Sequence, residues 1–151
     1  ENLILKSFNH APIAAGWSIN STAVHSNAVH LVDEYQVATP SVDTLARMLS
    51  GGNLQKLILA RETSENPKLM IAVHPTRGLD VGATEGVHKL LIKQRDAGAA
   101  LLLISEDLDE LLSLSDRIAV IYEGRLVGEM PAEGADIRAI GLMMAGSKAD
   151  A

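Results

Sequence analysis

The chain has 151 residues, of which 47% are hydrophobic and 3% aromatic, no cysteine, and a net charge of −6. The length and apolar content suffice for a buried core, whereas the acidic balance and the scarcity of aromatic side chains argue against a surface that binds nucleic acid. The absence of cysteine excludes disulfides and cysteine-based zinc sites and fits a cytoplasmic location. The longest apolar run, residues 97–104, is too short to cross a bilayer.

Residues 1–63 are predicted to form a mainly helical domain. A short segment and a loop containing proline and glycine come first. A helix is then predicted over residues 21–35, with Asn20 or Ser21 as its N-cap. This prediction rests on apolar side chains at helical spacing, namely Val24, Ala28, Leu31, Val32 and Tyr35. A further helix is predicted over residues 54–63.

Residues 64–151 are predicted to form a second domain of the α/β class, in which strands and helices alternate. The continuous apolar run at residues 69–73 is typical of a strand buried in a parallel sheet. The other strands are predicted at residues 100–105, 117–121 and 125–129, and the helices at residues 83–97, 107–114 and 136–145. Such alternation indicates right-handed βαβ units and a sheet covered by helices.

A pair of glycines precedes the helix predicted at residues 54–63. Because Gly51 and Gly52 have no Cβ, their N–H groups can approach an anion closely, and the positive end of the following helix adds to the attraction. The hydroxyl of Ser50 would be a further donor. The pattern predicts a phosphate-binding loop, although a bare Ser-Gly-Gly run taken alone fits an ordinary turn before a helix better.

Two runs of residues resemble motifs of the ATP-binding-cassette (ABC) ATPases. Leu-Ser-Gly-Gly-Asn at residues 49–53 is similar to the signature loop of that family, and Pro-Thr-Arg-Gly-Leu-Asp at residues 75–80 to its D-loop, in the same order and spacing. The resemblance extends from residue 1 to about residue 128. It implies part of a P-loop NTPase-like fold, namely the helical subdomain and the C-terminal part of the RecA-like parallel sheet.

The resemblance also implies roles for individual residues, because ABC domains work as head-to-tail pairs. Ser50, Gly51 and Gly52 are expected to bind the γ-phosphate of an ATP held by the opposite domain, and Asn53 to support the loop. Asp80 is expected to lie at the seam of the pair and to couple the two ATP sites. The same aspartate also fits the N-cap of the helix that follows it.

The glycine-rich loop G-x-x-x-x-G-K-[ST], which cradles phosphates in such ATPases, is missing from the sequence. The nearest run, residues 141–148, has its last two residues in the wrong order and is predicted to be a helix C-terminus with a glycine cap. The chain also begins with Glu1 instead of methionine. We therefore expect the chain to be a segment of a longer protein. The segment itself lacks the Walker A strand. ATP and Mg²⁺ are expected to bind only to the full-length parent, and the isolated segment is expected to be inactive.

The sequence departs from the family where Mg²⁺ is held and water is activated. The strand before the D-loop ends in Asp-Glu in ABC ATPases, but Val73 and His74 stand there in this chain, and Glu106 replaces the switch histidine. Valine cannot hold a hydrated cation, and a carboxylate at position 106 would repel the γ-phosphate. We expect a degenerate site with no metal ligand of its own. The alternative is that His74 and Glu106 have exchanged roles as an acid–base pair.

The residues of both motifs resemble those in the C-terminal half of tandem ABC ATPases that drive bacterial uptake of simple sugars and nucleosides. Residues 105–110 favour the nucleoside, or basic-membrane-lipoprotein, type. The implied partners are an N-terminal ABC domain of the same parent, transmembrane permease subunits and, indirectly, a solute-binding protein, at the inner face of the plasma membrane. Two alternatives are a fragment of a non-transport ABC ATPase and a non-catalytic interaction module.

The missing Walker A strand would leave a gap in the sheet. In the ABC fold it lies between the strands predicted here at residues 100–105 and 117–121. Each N–H or C=O group left unsatisfied in an apolar interior costs about 1–3 kcal/mol, and such edges recruit other strands. We expect either direct pairing of residues 101–104 with 118–121 or, as the favoured outcome, a homodimer in which a second copy of the chain fills the gap.

Overall fold

The computed structural model describes residues 1–146, which fall into two compact units. Unit 1 consists of Glu1–Met70 and Pro75–Leu102, and unit 2 of Ile71–His74 and the described residues from Leu103 onward. This division is discontinuous in sequence, and the boundary after residue 63 stays a prediction. Within residues 1–146, no helix combines the length and the apolar content that crossing a membrane requires.

Three helices form the frame of unit 1: α1 (Ser21–Glu34), α2 (Gly51–Thr63) and α3 (Val81–Asp96). The helix predicted from residue 21 is confirmed, and Asn20 is its cap, because its side-chain oxygen accepts a hydrogen bond from the Ala23 N–H at 3.1 Å. Short elements lie between and before these helices: two 3-10 helices (Asn2–Ile4 and Ala46–Met48) and the antiparallel strands β1 (Ala14–Ala15) and β2 (Ser18–Ile19). The hairpin β1–β2 lies where the sequence indicated only a loop.

Unit 1 is held together by a core between its helices and by two polar links. The buried core side chains are Leu3, Leu31, Tyr35, Val37 and Ala60. The hydroxyls of Tyr35 and Thr63 lie 2.5 Å apart, and Thr63 donates in turn to the Leu59 carbonyl at 2.6 Å, which joins the ends of α1 and α2. Lys93 on α3 donates to Glu34 on α1 at 2.9 Å. This carboxylate raises the pKa of Lys93, as expected for a cation beside an anionic acceptor.

Strands β3 (Leu69–Val73) and β4 (Ala100–Ile104) pair with each other. The strand at residues 69–73 was predicted to be buried, which is wrong for one of its faces: Met70 and Ala72 are buried, but Leu69, Ile71 and Val73 are 60%, 58% and 56% exposed. The Ala100 N–H donates to the Lys68 carbonyl at 2.9 Å, and the His74 N–H to the Ile104 carbonyl at 2.8 Å. Both strands therefore run in the same direction, with α3 as the connection between them, which is a βαβ unit. The fold class predicted from the sequence is confirmed.

Unit 2 contains helix α4 (Leu108–Leu114), the antiparallel hairpin of β5 (Arg117–Tyr122) and β6 (Arg125–Pro131), and helix α5 (Ile137–Met144). The hairpin turns through Glu123 and Gly124, which both have positive φ, 46° and 74°. Two-residue turns of this kind match the twist of the flanking strands. The buried side chains of the unit 2 core come from the hairpin, the segment that follows it and α5: Ile118, Val120, Ala132, Ile140 and Met143.

The expected gap between β4 and β5 is not closed by direct pairing of these strands in the part of the chain that the structure describes. Among residues 1–146, β4 pairs only with β3, and β5 only with β6. Direct pairing of residues 101–104 with 118–121 is therefore wrong for this chain. Leu102, Ile104 and Ile121 remain 50%, 45% and 69% exposed. The C-terminal run of residues 141–148 is helical as far as Met144, and its Ser147 and Lys148 lie outside the described residues.

Candidate functional site at the start of helix α2

Helix α2 begins at Gly51, three residues earlier than the sequence predicted. The pair of glycines was predicted to form a phosphate-binding loop before the helix. Ser50 nevertheless caps the helix, with its Oγ 3.4 Å from the Asn53 nitrogen. Gly51 and Gly52 are consequently the first two helical residues, whose N–H groups have no partner within the helix. These N–H groups lie at the positive end of the helix dipole.

Asn53 connects the start of α2 to the segment before it. Its side-chain oxygen accepts the Ala38 N–H at 2.8 Å, and its Nδ2 donates to the Ser50 Oγ at 3.0 Å. The two acceptor positions of the Ser50 hydroxyl are therefore used by the backbone and side-chain nitrogens of Asn53. The hydroxyl proton is left to donate. The helix end around Gly51 thus offers hydrogen-bond donors, namely backbone N–H groups and the Ser50 hydroxyl, and an anion needs donors of this kind.

Asp80 caps helix α3. Its Oδ1 accepts the Ala83 N–H at 2.8 Å, so the N-cap assigned to it from the sequence is confirmed, with the helix beginning at Val81. Gly78 has φ of 75°, in the left-handed region that glycine adopts most readily. The preceding turn is closed by the Leu79 N–H, which donates to the Thr76 carbonyl at 3.0 Å. A role of Asp80 between two ATP sites stays a prediction.

The starts of α2 and α3 lie against each other within unit 1. A Cβ placed on Gly52 would be 2.6 Å from the Ala83 Cβ, closer than such atoms approach in proteins, whereas one on Gly51 would lie 3.4 Å from the Leu79 Cδ2. Gly52 is therefore required by packing, independently of any ligand. Ala83 was not among the predicted site residues. Its small side chain, three residues after Asp80, is the sign in the sequence that another helix can approach closely here.

His74 and Glu106 lie in unit 2, at the carboxyl ends of β3 and β4. His74 has φ of 46°, a left-handed conformation in which histidine is more frequent than most side chains. Its N–H bonds to Ile104, and the exposed Glu106 follows two residues later. Among the described residues, no ion pair or hydrogen bond joins the His74 imidazole to the Glu106 carboxylate. The geometry offers no contact that would make them an acid–base pair.

The donor set of the chain fits a phosphate group better than a metal ion. No cluster of three His, Asp or Glu side chains able to hold a metal occurs within residues 1–146. At the end of β3 the side chains are Val73 and His74, and the valine offers no oxygen ligand to Mg²⁺. The start of α2, by contrast, offers hydrogen-bond donors of the kind that an anion such as phosphate accepts from.

Comparison with known proteins gives relatives over almost the whole chain. No model of a protein family matches. The guanosine import ATP-binding protein NupO of Bacillus subtilis is 50% identical over 97% of the chain, and the glucose import ATP-binding protein TsgD13 of Haloferax volcanii 45% identical over 96%. The nucleoside import ATP-binding protein NupA of Lactococcus lactis is 43% identical over 97%. The chain spans only 29%, 27% and 29% of these three relatives.

Solved structures agree on the fold. A nucleotide-free ATP-binding cassette from an ABC transporter superposes with a TM-score of 0.70 at 22% identity, over 86% of this chain and 53% of that one. A dimeric cassette in a post-hydrolysis state, bound to ADP and Pi, superposes with a TM-score of 0.66 at 22% identity, over 81% of this chain and 52% of that one. The fold and the match to importer subunits together show that the chain belongs to the ABC ATPases, as a segment of one.

Proposed function

We propose that the chain is part of the ATP-binding subunit of an importer for simple sugars or nucleosides. Its role there is to supply the signature loop, residues 49–53, to an ATP molecule held by a partner ABC domain. The names of the relatives support this proposal, because NupO, NupA and TsgD13 are import ATP-binding proteins for guanosine, nucleosides and glucose. The identity to NupO, 50%, favours a nucleoside as the solute.

The observation that carries the proposal is the set of donors at the start of α2. The N–H groups of Gly51 and Gly52 and the hydroxyl proton of Ser50 have the polarity that a γ-phosphate requires. Charge-assisted hydrogen bonds of this kind are roughly twice as strong as neutral ones. Asn53 fixes the loop through Ala38, so that little ordering is needed when the nucleotide arrives.

The chain's own nucleotide site is proposed to be degenerate. Val73, His74 and Glu106 stand where carboxylates and the switch histidine would hold Mg²⁺, orient water and contact the γ-phosphate. ATP and Mg²⁺ would then be bound mainly by the partner domain, and this chain would complete that site from the opposite side. The ATP hydrolysed in the complex is accordingly the one in contact with the signature loop.

The proposed partners follow from this arrangement. An N-terminal ABC domain of the same parent holds the ATP, and Asp80 lies at the seam with it. Transmembrane permease subunits anchor the complex at the inner face of the bacterial plasma membrane, and a solute-binding protein delivers the solute to them.

Hydrogen exchange of the full-length protein tests the role of the loop. The Gly51 and Gly52 amides have no intrahelical acceptor and should exchange rapidly without nucleotide. With a non-hydrolysable ATP analogue and Mg²⁺, we expect their exchange to slow at least about tenfold, because hydrogen bonds to charged groups contribute about 1.5–3 kcal/mol. Rapid-mixing exchange with mass spectrometry measures this, and ADP should have little effect.

The Gly124 amide, in the β5–β6 turn, is the matched control and should exchange at the same rate in all states. If the protein bound the analogue and the Gly51 and Gly52 amides still exchanged at the rate of the nucleotide-free protein, the proposed role of the loop would be wrong.

For the isolated chain we propose a homodimer. In the part of the chain that the structure describes, β4 and β5 each have an unpaired edge. These edges and the exposed Leu102, Ile104 and Ile121 favour the addition of strands from a second copy. Light scattering after size exclusion, at concentrations of about 0.1–1 mM where weak association is populated, should give twice the chain mass of 16.0 kDa. A strictly monomeric species at these concentrations would contradict the dimer.

A further inference from the structure

We propose that Ala83 is a positioning residue for the signature loop, and that its methyl group sets the distance between that loop and the D-loop. The inference rests on the proposed function, because positioning has an effect only if the loop contacts ATP. Ala83 itself would touch no nucleotide. It would act through Gly52, against which it packs.

The contact between the two helices is at the limit of close packing. The Cβ of Ala83 occupies the space in which a side chain of Gly52 would begin, 2.6 Å from the position of such a Cβ. The next nearest atom of Ala83, its Cα, lies 3.7 Å from that position, which is an ordinary van der Waals distance. With the Ala83 methyl group present, position 52 has no room for a side chain; without that methyl group, a Cβ at position 52 would fit.

Ala83 is also tied to the D-loop. Its N–H is the group that donates to the Asp80 Oδ1 at 2.8 Å, so the residue that touches Gly52 is the one that closes the cap of α3. A displacement of Asp80 would move the Ala83 backbone and, through the methyl contact, the first turn of α2. Packed side chains transmit such shifts because protein interiors are nearly incompressible.

On its other side the loop is held by hydrogen bonds. Asn53 bonds to the Ala38 N–H and to the Ser50 Oγ, which fixes the loop against the segment that precedes it. The loop is thus held by Asn53 on one side and supported by Ala83 on the other. The N–H groups of Gly51 and Gly52 lie in the segment held by these two contacts. We therefore expect the contacts of Asn53 and Ala83 to set the direction in which these N–H groups point.

Exchange of the methyl group between the two helices tests the inference. Gly52→Ala alone creates the 2.6 Å clash, and Ala83→Gly alone leaves the loop unsupported. The double variant Gly52→Ala/Ala83→Gly moves the methyl across the contact, with 3.7 Å to the remaining Cα. We expect Gly52→Ala to lower kcat for ATP at least about tenfold, since a displacement near 1 Å costs up to about 100-fold. The double variant should return to within about threefold of the wild type.

The assay uses the full-length protein with its transport partners, well below the lowest melting temperature of the variants, so that every variant is equally folded. KM for ATP should rise where kcat falls and should recover with it in the double variant, because the loop is proposed to contact the γ-phosphate of bound ATP as well as the transition state. Gly141→Ala is the matched control: it adds a methyl to helix α5, where nothing lies within 4 Å, and should leave kcat unchanged.

A wild-type kcat in both single variants, or no recovery of kcat in the double variant, would show that Ala83 does not position the loop and contributes only to packing. Gly51→Asp distinguishes this result from failure of the proposed function. If that variant is inactive while the methyl variants keep the wild-type kcat, the loop binds ATP and only the positioning role is wrong. If Gly51→Asp keeps the wild-type kcat, the proposed function fails and the positioning role fails with it.

Discussion

The substitution Gly51→Asp is expected to lower solute uptake by the full-length protein at least about 100-fold, the size of effect seen when a single donor to a developing anion is lost. The new carboxylate would lie beside the N–H groups proposed to hold the γ-phosphate and would repel it. The fold should tolerate the change. Gly51 is exposed, and a Cβ added to it would meet only the flexible end of the Leu79 side chain, at 3.4 Å. A negatively charged aspartate in the first turn also interacts favourably with the helix dipole and stabilises the helix.

His74→Asn is the matched variant at the site proposed to be degenerate. Asparagine tolerates the left-handed conformation that His74 adopts, with φ of 46°. It therefore removes the imidazole without adding backbone strain. Uptake should stay within about threefold of the wild type, below the roughly 100-fold or larger losses that follow removal of a catalytic base.

Uptake by vesicles that contain the complete transporter, together with thermal melting of each variant, measures both effects. Equal uptake by Gly51→Asp and His74→Asn would refute the division into a working loop and a degenerate site. Gly52→Asp is a poorer test, because its side chain would collide with Ala83 whether or not ATP binds nearby.

The isolated chain is expected to bind Mg-ATP with a dissociation constant above about 1 mM, weaker than about −4 kcal/mol, and to hydrolyse none. It has no lysine-containing glycine-rich loop, and Val73 offers no ligand to the metal. The donors of the signature loop contact only one end of the nucleotide, which is too little for tight binding. Calorimetric titration should show no saturable heat.

The full-length protein, titrated under the same conditions, is the control and should bind. A one-site isotherm with micromolar affinity for the isolated chain would contradict the prediction and would require a nucleotide site within these 151 residues.

Local patterns predicted most elements of the fold. The apolar run at residues 69–73 became β3, and the side chains at helical spacing after Asn20 became α1. Such patterns are reliable because they depend on neighbours in sequence. The start of α2 was misplaced, because Gly51 and Gly52 were predicted to lie in a phosphate-binding loop before the helix. The first turn of a helix tolerates glycine behind a good cap such as Ser50.

By itself, the sequence determined the order and spacing of the two loops, the lack of a Walker A lysine, and the presence of Val73, His74 and Glu106 where the degenerate site is proposed. These features are properties of residue type and position along the chain, so they can be read without coordinates.

Only the tertiary structure decided which groups meet. It showed that Asn53 reaches back to Ala38, that Gly52 must be small because Ala83 lies against it, and that His74 adopts a left-handed backbone. Within residues 1–146, it also left one edge each of β4 and β5 unpaired. The contacts of Asn53 and Gly52 and the pairing of the strands depend on distances between residues far apart in sequence, and such distances are set by the packing of whole helices and strands.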